Sequence, residues 1–503
     1  MPSLVERSAL QLAASIRRGD VSVEEVTRAF LERARLHDPA IGAFVTLAGD
    51  QALAVARQLD RERSRSRPSG VLWGVPVGIK DLNLVRGLPV RMGSASLRWL
   101  VAPFDDDVAR RARRANLVVL GKLATSEYAI LPFVDPAIHG PTRNPYGVEH
   151  YAGGSSGGSG AAVAARFLPF AFGSDEAGSL RIPAAFCGLV TLKPSRGALV
   201  SSHGRLDDAR ISADGPLARD VLDAAALADV LCADPRGPSL LEQAQIPPTA
   251  PLAVGVATRS AMVELEPEIR DAMRAFVARV AALGHRIERD DASFVDGGAE
   301  EFLPIMQRMV RNAPVVQPSK LEPLTRWMRE QGALYDATSV RVLAETLTRR
   351  VDAWFGALDV WVTPTVAIPP PRVGAYAGPP PRELYHAVAP LGAYTAPFNV
   401  AGYPAMSLPI GRTTSGLPIG AQLVMRPGED GRLLRHARGV GPRGPRGARR
   451  APAHARRRQR PLVHGGPADR GDARGADRPR LGRPGLARVA ARGSRRRRAD
   501  GDG

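Results

Sequence analysis

The spacing of apolar residues predicts surface helices near the start of the chain. Residues 9–60 place apolar side chains at helical intervals. Ser22 stands directly before a charged amphipathic run over 23–36, and a serine in that position caps the first turn of a helix. A further helix is predicted over 267–283, where apolar residues recur every three or four positions on one face.

Short apolar runs rich in branched side chains predict buried strands. We expect strands in six segments of the chain: 71–79, 117–120, 252–256, 360–366, 405–410 and 419–424. Because these segments alternate with predicted helices, the pattern indicates an α/β protein. The fold that we expect is a single α/β/α domain with a large mixed β-sheet flanked by helices.

A change of composition near the C-terminus divides the chain. We expect the folded domain to span residues 1–437, with 235–350 forming a more variable region that caps a pocket. After Asp430 there is no Phe, Trp or Tyr, and Arg, Gly, Pro and Ala dominate, so residues 438–503 cannot bury a core. We interpret this Arg-rich, low-complexity tail as disordered, or as the frame-shifted translation of GC-rich DNA.

The positive charge of the chain is confined to this tail. The 503 residues carry a formal net charge of +19, which is typical of nucleic-acid-binding proteins. From Gly431 onward there are 22 Arg and 5 Asp without Lys or Glu, so the rest of the chain is nearly neutral. Without aromatic side chains to stack on bases, such a tail supports only weak, non-specific binding. Nucleic acid is therefore not an expected partner, although an RNA-binding protein on an inactive scaffold stays open as an alternative.

The remaining composition argues against a metal site, a disulfide framework and a membrane-spanning segment. Cys187 and Cys232 show no C-x-x-C pairing and no histidine spacing typical of zinc, so we predict no metal site and no cofactor. The first residues are charged and lack the apolar core of a secretory signal, which favours a cytoplasmic protein. The apolar stretch 161–172 is interrupted by Arg166 and is too short to span a membrane.

The segment 153–160, GGSSGGSG, combines serine hydroxyls with glycine amides that can approach a reacting group closely. The spacing Gly153-x-Ser155-x-Gly157 also fits the nucleophile elbow of an α/β-hydrolase esterase, but no apolar strand directly precedes it. A phosphate loop would need Gly-Lys-Ser/Thr after the glycines, which this chain lacks. By itself, the segment is equally compatible with a linker.

Lys80, within GVPVGIKD at 74–81, is a candidate base. The chain has four Lys against 65 Arg, so it favours Arg wherever only a positive charge is needed. A lysine therefore indicates a requirement other than charge. A buried lysine can lose its proton once its pKa is lowered, whereas arginine stays charged. Lys122 and Lys320 fit surface or ion-paired lysines, and Lys193 fits a structural turn.

Together these motifs resemble the amidase signature family of Ser-cisSer-Lys amide hydrolases. The resemblance covers about residues 5–437 and is carried by six motifs: GVPVGIKD from 74, GPTRNP from 140, GGSSGGSGAAVAA from 153, GSDEAGSLRIPAAFCG from 173, LKPSRG from 192 and TAPFNVAGYPAMSLP from 395. It implies the amidase signature fold, with Ser179 as the nucleophile, Ser155 as the bridging serine and Lys80 as the base. No metal or cofactor is implied.

The resemblance also implies residues that support the nucleophile. The oxyanion hole is expected to be formed by four backbone N–H groups, those of Glu176, Ala177, Gly178 and Ser179. Asp175 and Arg181 flank this loop and are expected to pair with each other. Ser156 is expected to hydrogen-bond to the bridging serine or to satisfy a turn, and Arg143 in GPTRNP to anchor a loop.

Three features depart from the family pattern. Glu176 and Ala177 stand where the family usually has Thr and Gly, and an alanine would cost roughly 1 kcal/mol if the backbone φ at that position were positive. The Glu176 side chain is free to point away, because the hole uses backbone groups. An apolar stretch at 130–138 replaces a Gly/Thr-rich segment, so the pocket wall that this stretch forms is not expected to match that of the family. The third departure is a short closing helix, which we expect to end at Leu434, before the tail begins.

The leading hypothesis is an amidase that hydrolyses a small carboxamide to a carboxylic acid plus ammonia or an amine, through a seryl acyl-enzyme. Its expected partner is a small-molecule amide, and a homodimer stays open. An alternative is the amidase subunit of a tRNA-dependent amidotransferase, although Ile182 stands where such subunits commonly carry Gln.

Overall fold

The computed structural model describes residues 3–65, 69–202, 204, 206–234, 237–248, 250–294 and 298–441. The expectations for residues 442–503 lie outside this part of the chain. The strands are β1 (Phe44–Leu47), β2 (Pro76–Lys80), β3 (Val118–Leu123), β4 (Arg143–Asn144), β5 (Gly147–Tyr151), β6 (Phe170–Asp175), β7 (Val190–Lys193), β8 (Ala213–Ala218), β9 (Ala253–Arg259), β10 (Arg286–Ser293), β11 (Val360–Pro364), β12 (Ala405–Arg412) and β13 (Pro418–Val424).

Fifteen α-helices accompany these strands in the described ranges. They are α1 (Ala9–Arg18), α2 (Val23–His37), α3 (Gly49–Arg63), α4 (Asp107–Arg114), α5 (Gly157–Ala164), α6 (Arg181–Cys187), α7 (Val221–Leu231), α8 (Leu240–Gln245), α9 (Pro267–Ala282), α10 (Gly298–Asn312), α11 (Pro323–Gln331), α12 (Ala337–Phe355), α13 (Pro381–Val388), α14 (Ala396–Val400) and α15 (Asp430–Val440).

One mixed sheet of eleven strands organises the fold. Its strand order is β1-β3-β2-β6-β8-β7-β12-β13-β11-β9-β10, while β4 and β5 form a separate hairpin. Strands β3, β2 and β6 run parallel, as do β11, β9 and β10, and the strands between these two groups pair antiparallel. Helices pack against this sheet. The expected α/β fold with a large, helix-flanked mixed sheet is confirmed.

The central strands are buried along their whole length, and apolar runs predicted β2, β11 and β13 but not β6 or β8. Every residue of β2, β6, β8, β11 and β13 is buried. All six strands predicted from sequence are present, with ends that differ by a few residues. Helix α2 begins as expected, because the Ser22 side chain accepts a hydrogen bond from the Glu25 N–H and the Glu25 side chain accepts one from the Ser22 N–H.

Two regions differ from the expected organisation. Residues 9–60 are not helical throughout, since β1 lies within them and pairs with β3 at one edge of the sheet. A strand of four half-buried residues is too short to show an alternating pattern. The region 235–350 is not a cap throughout, because β9 and β10 belong to the main sheet.

The closing helix α15 runs to Val440 and not only to Leu434 as expected. Leu433, Leu434, Ala437 and Val440 are all buried, and the helix packs on α7, α8 and the strands β12 and β13. Its apolar face therefore continues into a segment whose composition resembles the tail. Composition averaged over the segment hides these few spaced apolar residues.

We predict that docking of this helix contributes strongly to stability. Leu434→Ala removes a fully buried side chain and is expected to lower the free energy of unfolding by about 3 kcal/mol. Leu36→Ala, at a position that is 74% exposed, is the matched control and should change it by less than about 0.5 kcal/mol. Guanidinium chloride unfolding followed by circular dichroism measures both. Equal effects of the two substitutions would contradict the docking role.

Candidate active site

Lys80 lies at the end of β2 and is completely buried. Its Nζ atom is 2.7 Å from Ser155 Oγ and 2.9 Å from Ser174 Oγ, and it donates a hydrogen bond to each. Because β2 is held between β3 and β6, the lysine projects from a rigid part of the sheet. Two of the predicted site residues, Lys80 and Ser155, are thus in direct contact.

The surroundings of Lys80 oppose its charged form. Burial lowers the pKa of Lys80, because an ammonium group loses its hydration inside the protein, and the negative charges of Glu176, Asp214 and Asp175 raise it in part. The net shift of this pKa is downward. Both hydrogen-bond partners of Lys80 are hydroxyls. The geometry therefore suits a lysine that works as a neutral base.

The first half of the Gly/Ser segment, residues 153–156, is a loop, the second half begins α5, and all eight residues of α5 are buried. The peptide bond between Gly154 and Ser155 is cis. A Cβ on Gly158 would lie 2.3 Å from the backbone nitrogen of Ala124, so this helix packs against its neighbour through bare backbone. The glycines are therefore required by packing, and the segment is not a linker.

Ser156 connects the two serine-bearing loops. Its hydroxyl donates to the carbonyl of Ser174 at 3.0 Å and accepts from the Ser174 N–H at 3.2 Å. Its own N–H donates to the carbonyl of Ser179 at 3.2 Å. Ser156 hydrogen-bonds to these neighbours and not to Ser155, so its contacts hold the loops together.

Ser179 lies in the short connection between β6 and α6. It is 7% exposed and lines a pocket, which makes it accessible to a small molecule. The hydroxyls of Ser155 and Ser179 are not hydrogen-bonded to each other. Catalytic hydrogen bonds are often long in ligand-free enzymes and shorten when substrate binds.

Asp175 and Arg181 form a completely buried ion pair beside Ser179. Arg181 donates from Nη2 to Asp175 Oδ1 at 2.9 Å and from Nε to Oδ2 at 3.0 Å. Arg181 also donates to Gln422 Oε1 at 2.7 Å and to Asn399 Oδ1 at 2.5 Å. The pair therefore fixes both ends of the Ser179 loop against strand β13 and helix α14.

This pairing outweighs the cost of burying the carboxylate. Burial alone would raise the pKa of Asp175, but the charge of Arg181 and its hydrogen bonds lower the pKa to about 2. Asn399 adds a hydrogen bond to Oδ1 at 3.0 Å. Asp175 is consequently ionised over the whole physiological range of pH.

The backbone of the loop differs in one respect from the expected oxyanion hole. The N–H of Gly178 donates to Asp175 Oδ1 at 2.6 Å, so it is already engaged. The residues with positive φ include Gly178, at 127°, but not Ala177, and the possible strain of an alanine there does not arise. A Cβ on Gly178 would lie 2.3 Å from Thr395 Oγ1, so this glycine is required.

The Glu176 side chain does not point away from the site. It is only 3% exposed and lines the same pocket as Ser179. Its Oε2 atom is buried and has no hydrogen-bond partner. Residue type alone does not predict this orientation, because the direction of the preceding strand sets it.

The rest of the pocket is mainly apolar. Helices α10 and α12 contribute Phe302, Met306 and Leu347, which come from the predicted cap region. Ile130 and Leu131, from the stretch that departs from the family pattern, form part of the wall. This lining favours a ligand with an apolar body.

Other charged candidates have structural contacts. Lys122 forms a buried ion pair with Asp81 at 2.7 Å, and Lys193 donates to the carbonyl of Pro194 at 2.7 Å. Arg143 donates to the carbonyl of Val148, as expected for a loop anchor. Within the described part of the chain, no group of three or more acidic, histidine or cysteine side chains could hold a metal ion, and no helix is long and apolar enough to cross a bilayer.

Comparison with known proteins identifies the family. The family model described as Amidase matches residues 25–434. The chain belongs to the amidase signature family. A putative amidase from Synechocystis sp. is 33% identical over 442 residues, covering 85% of this chain and 86% of that protein. A glutamyl-tRNA(Gln) amidotransferase subunit from Myxococcus xanthus is 32% identical, covering 86% of this chain and 96% of that protein.

Solved structures support the same assignment. The structure of 6-aminohexanoate cyclic dimer hydrolase is similar, with a TM-score of 0.78 at 29% identity, covering 87% of this chain and 96% of that chain. The chain is thus an amide hydrolase of the amidase signature family. Four residues with contacts in its site were missed by sequence reasoning: Ser174, Thr395, Asn399 and Gln422. Two of these residues lie in the TAPFNVAGYPAMSLP motif, which was the signal that could have found them.

We predict that the ion pair of Asp175 and Arg181 stabilises the folded state and that this stabilisation is lost in acid. Asp175→Asn leaves Arg181 buried without a counter-charge and should lower the free energy of unfolding by about 3 kcal/mol at pH 7. Because the folded pKa of about 2 is below the unfolded value of about 3.9, this stabilisation is complete above about pH 4 and disappears as pH falls through about 2.

Chemical denaturation of wild type and Asp175→Asn at several pH values tests this. Asp271→Asn, at a position that is 76% exposed, is the matched control and should have no effect larger than about 0.5 kcal/mol. An unchanged difference between wild type and Asp175→Asn below about pH 4 would show that charge is not the cause.

Proposed function

We propose that this amidase hydrolyses small carboxamides with an apolar body through a seryl acyl-enzyme, using Ser179, Ser155 and Lys80. The observation that supports it most directly is the 2.7 Å contact between Lys80 Nζ and Ser155 Oγ. A buried lysine with a lowered pKa can accept a proton from that hydroxyl.

In this mechanism the proton moves in two linked transfers. Neutral Lys80 takes the proton of Ser155 Oγ while Ser155 takes that of Ser179 Oγ, and Ser179 attacks the amide carbonyl carbon. Collapse of the tetrahedral intermediate breaks the C–N bond, and the proton returns along the same path to the leaving nitrogen. Water then attacks the acyl-enzyme and gives up a proton to the same base system. The ester C–O bond to Ser179 breaks, the carboxylic acid leaves, and the proton returns to Ser179 Oγ.

The negative charge on the carbonyl oxygen needs hydrogen-bond donors. We assign these to the backbone N–H groups of Glu176, Ala177 and Ser179, since that of Gly178 donates to Asp175. Loss of one donor in such a hole typically reduces the rate by about 100- to 1000-fold. Asp175 and Arg181 act indirectly by fixing the loop that carries these groups.

Ammonia supply to a tRNA-dependent amidotransferase is the other reaction considered, because a subunit of such an enzyme is among the relatives. Its donor, glutamine, carries an α-carboxylate and an α-ammonium group, so its pocket needs a free cationic partner as well as an acidic one. Here Glu176 lines the wall, but the lining arginine, Arg350, is already paired with Glu301. The wall also includes Phe302, Met306 and Leu347. This lining favours the hydrolysis of less polar amides.

We predict that a fluorophosphonate probe labels Ser179 once and that the label depends on Lys80. Ser179→Ala should abolish the adduct, and Lys80→Met should slow its formation by about a thousandfold, because the serine then lacks a base. Intact mass spectrometry after timed incubation measures both. Lys320→Met, at an exposed lysine, is the control and should label like wild type. Labelling that persists in Ser179→Ala would refute the assigned nucleophile.

We also predict how the rate depends on pH. Only neutral Lys80 accepts a proton, so kcat/KM should increase as pH rises through the pKa of Lys80 and then reach a plateau. Because burial lowers this pKa, half of the plateau should be reached clearly below the ordinary lysine value of about 10.4. Circular dichroism at each pH checks that the protein stays folded. A midpoint near about 10.4 would contradict a buried lysine base.

A further inference from the structure

Glu176 is an acidic side chain in the wall of the active-site pocket, and one of its carboxylate oxygens is buried without a hydrogen-bond partner. It is 3% exposed, and its Oε2 atom is buried and makes no hydrogen bond. It stands three positions before Ser179 in the same loop. A buried acidic group that lacks a partner costs free energy. Its position beside the proposed nucleophile indicates that a bound ligand supplies the missing hydrogen-bond donor.

Among the described residues, Glu176 forms no salt bridge with the cations near the pocket, although its charge acts on Lys80 and raises the pKa of that lysine in part. Arg350 also lines the pocket, but its guanidinium is paired with Glu301 at 2.6 Å and is 45% exposed. Lys80 donates its two hydrogen bonds to Ser155 and Ser174 and none to Glu176. In the mechanism proposed above, Lys80 is moreover neutral when it acts as the base.

We propose that Glu176 binds a protonated amine of the substrate, so that the preferred substrates are amides with an amino group on the carbon next to the scissile carbonyl and an apolar side chain. This inference rests on the proposed function, because Ser179 fixes where the carbonyl lies. The backbone N–H of Glu176 binds the carbonyl oxygen, while its side chain receives the neighbouring ammonium group. The apolar wall, including Ile130 and Phe302, accommodates the side chain.

An ammonium group satisfies this site better than a neutral donor would. It supplies both hydrogen-bond donors and the opposite charge, and hydrogen bonds that involve charged groups are about twice as strong as neutral ones. In a pocket with a mainly apolar wall, this attraction is weakened less by solvent than at a surface. Glu176 is thus expected to select among substrates and not to take part in bond breaking.

Two substrates that differ only by the amino group test the proposal. These are DL-phenylalaninamide and 3-phenylpropanamide, assayed with the full-length protein at neutral pH. We expect wild type to favour the amino amide by about 10- to 100-fold in kcat/KM. In Glu176→Gln the preference should disappear, mainly through a loss for the amino amide. Because both substrates use the same base, their ratio is insensitive to any change in the protonation of Lys80.

The control for Glu176→Gln is Glu383→Gln, an exposed carboxyl on the pocket-lining helix α13. It makes the same change of charge and should keep the wild-type ratio. Glu176→Thr is a second variant, since threonine is the usual residue of the family at this position. The proposal is overturned if wild type hydrolyses both amides equally well, or if Glu176→Gln lowers both rates by the same factor.

A binding measurement keeps the test independent of turnover. 2-Phenylethylamine should slow fluorophosphonate labelling of wild-type Ser179 at concentrations about tenfold lower than 2-phenylethanol does, and this difference should vanish in Glu176→Gln. Equal protection by the amine and the alcohol overturns the inference while labelling itself still supports the proposed nucleophile. Labelling or hydrolysis that does not depend on Ser179 overturns the proposed function instead.

Discussion

Asp175 and Arg181 are both completely shielded from water, and each would be expensive to bury alone. Together with Asn399 and Gln422 they form a network in which every charged group has close polar partners. The loop between them carries Ser179, the proposed nucleophile, and the backbone groups proposed to form the oxyanion hole. The positions of the reacting atoms therefore depend on one buried electrostatic contact, and strands from both halves of the sheet are tied together through it.

The catalytic and the selective parts of the site come from different kinds of structure. Lys80 stands on a central strand, and the two serines stand in loops packed through bare glycine backbone. The pocket wall comes from helices α10 and α12 and from residues 130 and 131, which belong to a stretch that departs from the expected family pattern. Such an arrangement lets substrate preference change while the chemistry stays fixed. Glu176 is the exception, since it belongs to the reactive loop and also lines the wall.

The sequence revealed several elements whose burial is uniform along the chain, but not the equally buried strands β6 and β8. Apolar runs predicted strands such as β11 and β13, and the scarcity of lysine drew attention to Lys80. The edge strand β1 was missed because four half-buried residues show no period. Asn399 and Gln422 were missed for another reason: they are ordinary amides whose importance arises only from distant partners. The engagement of the Gly178 N–H by Asp175 depends on backbone direction, which residue types do not specify.

Arg181 takes two of its partners from residues that follow it by 218 and 241 positions. During synthesis on the ribosome, the proposed nucleophile Ser179 is therefore made long before the groups that hold its loop. A nascent or prematurely terminated chain that lacks residue 422 leaves the arginine incompletely paired and the serine loop unsupported. On the proposed mechanism, the serine loop is therefore fully held only when almost the entire domain has been translated.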